Sequence, residues 1–126
     1  MNDPQRSSSR IQSFRHAFSG WWYVLRTQRN AWIHLVATWA VIGLGLFLGI
    51  EPLEWAILIL AIGLVWTAEF VNTALEAVVD LASPATHPLA RVGKDVGAAA
   101  VLISAMLAVI IGLIILGPPL WSMIFH

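Results

Sequence analysis

Between Ile11 and Leu25 the apolar residues fall at Ile11, Phe14, Phe18, Trp21, Trp22 and Leu25. Steps of three and four place them on one face of a helix, with Arg10, Arg15 and Arg26 near its polar side. Paired tryptophans with flanking arginines suit a helix lying in the headgroup layer of a membrane. An amphipathic helix packed on protein would carry the same pattern. Ahead of it, residues 1–9 are polar and are expected to be a disordered tail. Downstream the alternation vanishes. Residues 31–50 form an apolar run long enough to cross a hydrocarbon core of ~30 Å at ~1.5 Å per residue. The run stops at "GIEPLEW", where Pro52 suits the first turn of a new helix. From there no breaker occurs before "SPATHPLA", which predicts one helix over 52–82, too long for the bilayer alone, with its far end in water. A third span is predicted over 95–117, stopped by Gly117-Pro118-Pro119, with "LWSMIFH" at the opposite interface.

Composition agrees with three spans. The 126 residues are 59% hydrophobic and 11% charged, more apolar surface than one small soluble core could hide. The fold class is therefore an all-α integral membrane protein: three transmembrane helices behind an N-terminal amphipathic surface helix over 10–29, in one domain over 10–126. Formal net charge is zero, but its distribution is lopsided. Arg6, Arg10, Arg15, Arg26 and Arg29 precede residue 30, and Arg91 and Lys94 share the loop between the second and third spans. The first loop offers only Glu51 and Glu54. The excess of basic residues on the inner side of membrane proteins then predicts a cytoplasmic N-terminus and second loop, with the C-terminus outside. The absence of cysteine excludes disulfides, thiolate metal sites and cysteine nucleophiles. No compact apolar core with a small-residue cleavage site opens the chain, so a removable signal peptide is not expected.

The second span is unusual at its inner end. In "AEFVNTALEAVVDL", Glu69, Asn72, Thr73, Glu76 and Asp80 point into a sector about 100° wide on a helix. Glu69 directly follows a long apolar run and belongs at the inner edge of the hydrocarbon. Glu76 lies about 10 Å further along the axis, at headgroup or water level. Ionisable residues at membrane depth are costly and mark function. Asn72 and Thr73 alone would be read as interhelix hydrogen-bonding groups, and the acids as partners of Arg91 or Lys94. The complete constellation argues for more.

After the loop, Lys94 and Asp95 stand before the small residues Gly97, Ala98, Ala99 and Ala100. A lysine there can meet a phosphate as a point charge, or can simply anchor the loop on the cytoplasmic side. His87, between turn residues, has the setting of a solvated loop histidine. No Walker-type glycine loop, dinucleotide fingerprint, nucleophilic triad or histidine-rich metal pattern occurs. Nucleotide chemistry here would need a carboxylate-held metal and scattered donors.

"EFVNTALEAVVDL" followed by "HPLARVGKDVGAAAVL" closely resembles the prokaryotic diacylglycerol kinase and undecaprenol kinase family, and "SFRHAFSGWWYVLRTQRNAWIHL" extends the resemblance to about residues 10–117. It implies a small homotrimeric membrane kinase with an active site shared between neighbouring subunits at the cytoplasmic interface. On this resemblance Glu69 matches the base that takes the proton of the lipid hydroxyl. Glu76 matches the ligand of the magnesium ion that accompanies ATP. Asn72 matches a polar position of the motif, and Lys94 with Asp95 the nucleotide-binding pair. Three positions depart from the family pattern. Gln28 in "TQRN" stands where a glutamate supplies the second magnesium ligand, which lowers the charge at the metal. His16 replaces an aromatic residue near the nucleotide. Ala85-Thr86 replaces the usual Glu-Tyr before His87, the nucleotide-contacting loop histidine.

The expected function is ATP-dependent, Mg²⁺-assisted phosphorylation of a membrane lipid alcohol in the bacterial cytoplasmic membrane, feeding lipid-carrier or phospholipid metabolism. The "NT" of Asn72-Thr73 and the "HPLA" loop resemble undecaprenol kinases more than diacylglycerol enzymes. Two other classes remain open from the residues. One is an oligomeric proton or cation pathway lined by Glu69, Glu76 and Asp80. The other is a noncatalytic assembly subunit whose acids only bind helices together.

Overall fold

The computed structural model describes the backbone of residues 4–126 and side chains from residue 9 onward; residues 1–3 of the expected tail lie outside the described residues. Four helices follow one another: α1 (Pro4–Thr27), α2 (Arg29–Leu48), α3 (Pro52–Ala82) and α4 (Pro88–Phe125). Three of them, α2, α3 and α4, are long and apolar enough to cross a membrane.

Helix α1 starts at Pro4, so residues 4–9, expected without regular structure, are its first turns. Proline is pre-set for the first turn of a helix, and nothing from there to Gly20 breaks one. One residue separates α1 from α2. Gln28 is extended (φ −105°, ψ 113°), and the indole N–H of Trp32 donates to the Leu25 carbonyl at 2.8 Å across this corner. Helix α2 ends on Gly49 in the left-handed region (φ 63°), whose N–H reaches the Gly45 carbonyl at 3.1 Å. Only glycine takes that conformation without strain. Glu51 then opens α3 with a capping box, its own N–H bound by Glu54 Oε2 at 3.0 Å, and Pro52 follows as anticipated.

Helix α4 departs from expectation at both ends. It begins at Pro88 rather than at residue 95, because His87 caps it: Nδ1 accepts the N–H of Leu89 at 3.1 Å, and Pro88 fills the first helical position. Arg91 and Lys94, expected in the loop, are therefore helical, as Asp95 was expected to be. At the other end the helix runs through Pro118 and Pro119 to Phe125 instead of stopping at Gly117. Each proline removes one intrahelical N–H, and spanning helices tolerate this where water or a neighbour satisfies the freed carbonyl.

Helices α3 and α4 form the main packed pair. Gly97 faces Asn72 and Leu75, and Gly93 faces Val79, so the two run antiparallel. Two small apolar clusters hold the rest. Val24, Ala31 and Trp66 join α1, α2 and α3, while Leu58, Ile115 and Leu116 join α3 to the far end of α4. Most large apolar side chains lie open, including Ile11, Phe14 and Phe18 on α1 and Leu113 and Ile114 on α4. Such surface is suited to lipid or to further copies of the chain.

Candidate active site

Helical spacing along α3 puts Trp66, Glu69, Asn72, Thr73 and Glu76 on the side that meets the rest of the chain. All but Glu76 are buried, and Glu69 is only 1% exposed. A carboxylate so enclosed needs partners. Thr73 Oγ1 donates to the Glu69 backbone carbonyl at 2.8 Å and leaves the carboxylate itself free. From α2, the Nε2 of His34 comes within 3.4 Å of Glu69 Oε2. The separation is within ion-pair range yet lacks good hydrogen-bond geometry, and no other group among the described residues bonds either atom.

One turn and more along α3, Glu76 is held between two amides. Asn72 Nδ2 donates to Oε1 at 3.1 Å and Gln28 Nε2 donates to Oε2 at 3.4 Å. The corner between α1 and α2 thus delivers residue 28 to residue 76, the two positions expected to share a metal. Among the described residues no three His, Cys, Asp or Glu side chains converge as a metal cage. The donor set nonetheless fits magnesium. One carboxylate with an amide oxygen beside it offers hard oxygen ligands only, and Mg²⁺ characteristically takes one or two carboxylates and completes its shell with water and phosphates.

Beyond Glu76, an open cleft of about 690 Å³ lies between the ends of α3 and α4, lined by Asp80, Ser83, His87, Arg91, Lys94 and Asp95 among others. Lys94 Nζ pairs with Asp80 Oδ1 at 2.5 Å, not with its neighbour Asp95. His87 lines the cleft while its Nδ1 is engaged as the α4 cap. His16 is exposed on α1 and is not among the residues that line this cleft. His16 apart, the expected residues fall into two groups: Gln28, Glu69, Asn72 and Glu76 where α3 meets the α1–α2 corner, the first and last half-buried, and His87, Lys94 and Asp95 in the cleft.

The layout is thus one buried carboxylate, one amide-braced carboxylate and a cleft of mixed charge at the end of a long apolar helix, all within a stretch of sequence that a known family matches. The family described as prokaryotic diacylglycerol kinase matches residues 15–116. The chain belongs to this family. An undecaprenol kinase of Bacillus subtilis (strain 168) is 42% identical over 110 residues, covering 87% of this chain and 89% of that one. A diacylglycerol kinase of Synechocystis is 45% identical over 114 residues, 90% of this chain but 65% of that longer protein. The diacylglycerol kinase of Escherichia coli (strain K12) is 35% identical over 107 residues, 79% of this chain and 84% of that one. The family is one of lipid kinases, and with three spans the chain is a multi-pass bacterial membrane enzyme of that class. The comparisons give the ion-pathway reading no support. Sequence reasoning missed His34, whose signal was present: an ionisable side chain inside an apolar span.

Proposed function

We propose that the chain transfers the γ-phosphoryl group of ATP to the hydroxyl of a membrane lipid alcohol at the cytoplasmic face of the bacterial inner membrane, with undecaprenol preferred over diacylglycerol. The observation that carries this reading is the buried Glu69 carboxylate on the same helix face as the amide-braced Glu76. The two are seven residues and so about 10 Å apart along the axis. A hydroxyl that stays at the edge of the hydrocarbon can reach the first, while phosphates arriving from water reach the second.

Phosphoryl transfer demands positioning, charge neutralisation and a base. Glu69 accepts the hydroxyl proton as the oxygen attacks the γ-phosphorus and the bond to the departing diphosphate breaks. Glu76 and the Gln28 carbonyl oxygen would hold Mg²⁺, with Asn72 fixing the Glu76 carboxylate. The bound ion supplies charge neutralisation at the phosphates. Lys94 and Asp95 serve the nucleotide in the cleft, which requires the Lys94–Asp80 pair to open or to be shared with phosphate. His87 contributes there as a donor through its free ring nitrogen, while His16, outside the cleft of its own chain, is assigned to the nucleotide by the family resemblance alone. The working unit is a homotrimer with sites shared between copies, a reading supported by the family and by the open apolar faces of α1 and α4. The choice of undecaprenol rests on Asn72-Thr73 and the "HPLA" loop.

The test is a γ-phosphate transfer assay on the full chain in micelles with both lipids. Glu69→Gln lowers turnover by about 10²–10⁴-fold, as expected for removal of a positioned base, with nucleotide binding intact. Near-parental turnover would remove Glu69 from the chemistry. In matched-micelle competition undecaprenol gives the higher kcat/KM, and a clear preference for diacylglycerol would overturn the choice of acceptor while leaving the reaction standing.

A further inference from the structure

The enclosed Glu69 carboxylate has a neighbour that the proposed chemistry does not yet use. His34 sits on α2 with its side chain 13% exposed, and its Nε2 and Glu69 Oε2 face each other at 3.4 Å. Both atoms are buried, and neither has a hydrogen-bond partner among the described residues. Two orphaned polar atoms aimed at one another are not an accident of packing, because burying either alone is costly.

The imidazole is also held in place. Its ring packs edge-on against Trp66, centroids 6.2 Å apart at 71°. Trp66 is fixed in turn: its indole N–H donates to Thr38 Oγ1 at 3.0 Å, and Thr38 Oγ1 donates to the His34 carbonyl at 2.6 Å. His34 and Thr38 are one turn apart on α2, and Trp66 and Glu69 are nearly one turn apart on α3. The four residues close a ring across the two helices.

We propose that His34 is a positioning residue for Glu69, donating its Nε2–H to Oε2 so that the second carboxylate oxygen is presented to the acceptor hydroxyl. An ionised carboxylate only accepts, so the shared hydrogen belongs to the imidazole. The hydroxyl proton goes to Glu69, and His34 keeps its own. Bases that work in pairs with an orienting group follow the same logic, in which a third side chain fixes the direction of the second. A separation of 3.4 Å without substrate is compatible with this, since such contacts tighten in the reacting complex. The inference rests on Glu69 being the base.

The experiment compares His34→Phe, His34→Gln and Glu69→Gln in the full chain, in micelles with undecaprenol and MgATP. His34→Phe keeps the ring against Trp66 but loses the donor. It is expected to lower kcat about 10- to 100-fold, the effect of a misdirected reacting group, with the KM for MgATP unchanged. His34→Gln, whose amide N–H reaches the same place, restores most of the parental kcat. Parental kcat in both His34 variants, with Glu69→Gln inactive, overturns the role of His34 and leaves the base standing. Equal losses in both variants overturn the donor role as well. Near-parental turnover in Glu69→Gln removes the base, and this inference with it. Should His34→Phe fail to fold, ¹⁵N-histidine spectra of the parent decide: the His34 Nε2 resonance must shift in Glu69→Gln, and an unmoved resonance overturns the proposal.

Discussion

At position 28 a neutral amide stands where the family resemblance places a carboxylate, and the structure puts that amide against Glu76, with Nε2 3.4 Å from Oε2. A glutamine can donate to Glu76 when no cation is present and turn its carbonyl oxygen to the ion when one is. A glutamate could only repel Glu76 until the ion arrives, and would hold it more strongly afterwards. Gln28→Glu is therefore expected to lower the magnesium concentration for half-maximal activity, and Gln28→Ala to raise it. Glu76→Ala should be far worse than either, since it removes the carboxylate around which both amides are arranged. Magnesium titrations at saturating lipid decide, and parental behaviour in both Gln28 variants would take residue 28 away from the metal. These positions were legible in the sequence because Glu69, Asn72 and Glu76 share one helix, where a period of 3.6 places them on one face without any knowledge of the fold. His34 was not. Its partner lies on a different helix, and only the packing of α2 on α3 brings the two together.

Helix α4 carries a close approach that sequence showed only as a run of small residues. A Cβ added at Gly97 would lie under 2.5 Å from Asn72 Oδ1 and 3.3 Å from Leu75 Cδ2. The first clash is with the end of a side chain, so Asn72 can rotate away more easily than α3 and α4 can separate. Its rotation breaks the bond to Glu76 Oε1. Gly97→Ala is thus expected to reduce turnover and magnesium affinity strongly while lowering thermal stability only moderately, by about 1–3 kcal/mol as for other overpacked contacts. A loss of stability without any change in magnesium dependence would show that Asn72 does not brace Glu76. The limits of α3 were legible from Pro52 and the "SPATHPLA" breaker. Those of α4 were not, because proline was read as a stop. At Pro88 it is a start, enabled by the His87 cap, and at Pro118 it is merely passed through.

In the whole chain most large apolar side chains lie open, and much of that surface must meet lipid. Three spans and a surface helix follow from hydropathy alone, whereas the number of copies and which faces join them do not. If sites are shared between copies, mixing Glu69→Gln chains with Glu76→Ala chains before reconstitution should yield turnover that neither has alone. Inactivity of every mixture would assign each complete site to one chain. The corner at Gln28 has a consequence of its own. A single extended residue both separates α1 from α2 and touches the carboxylate proposed for the metal. With α1 lying in the headgroup layer, as its sequence suggests, a tilt imposed by surface charge on Arg10 and Arg15 or by the lateral pressure of a crowded leaflet would be applied to that residue as to the short arm of a lever. On that reading the condition of the bilayer surface would be felt at the grip on the phosphate donor, and the membrane whose lipids are consumed would have a hand on the rate.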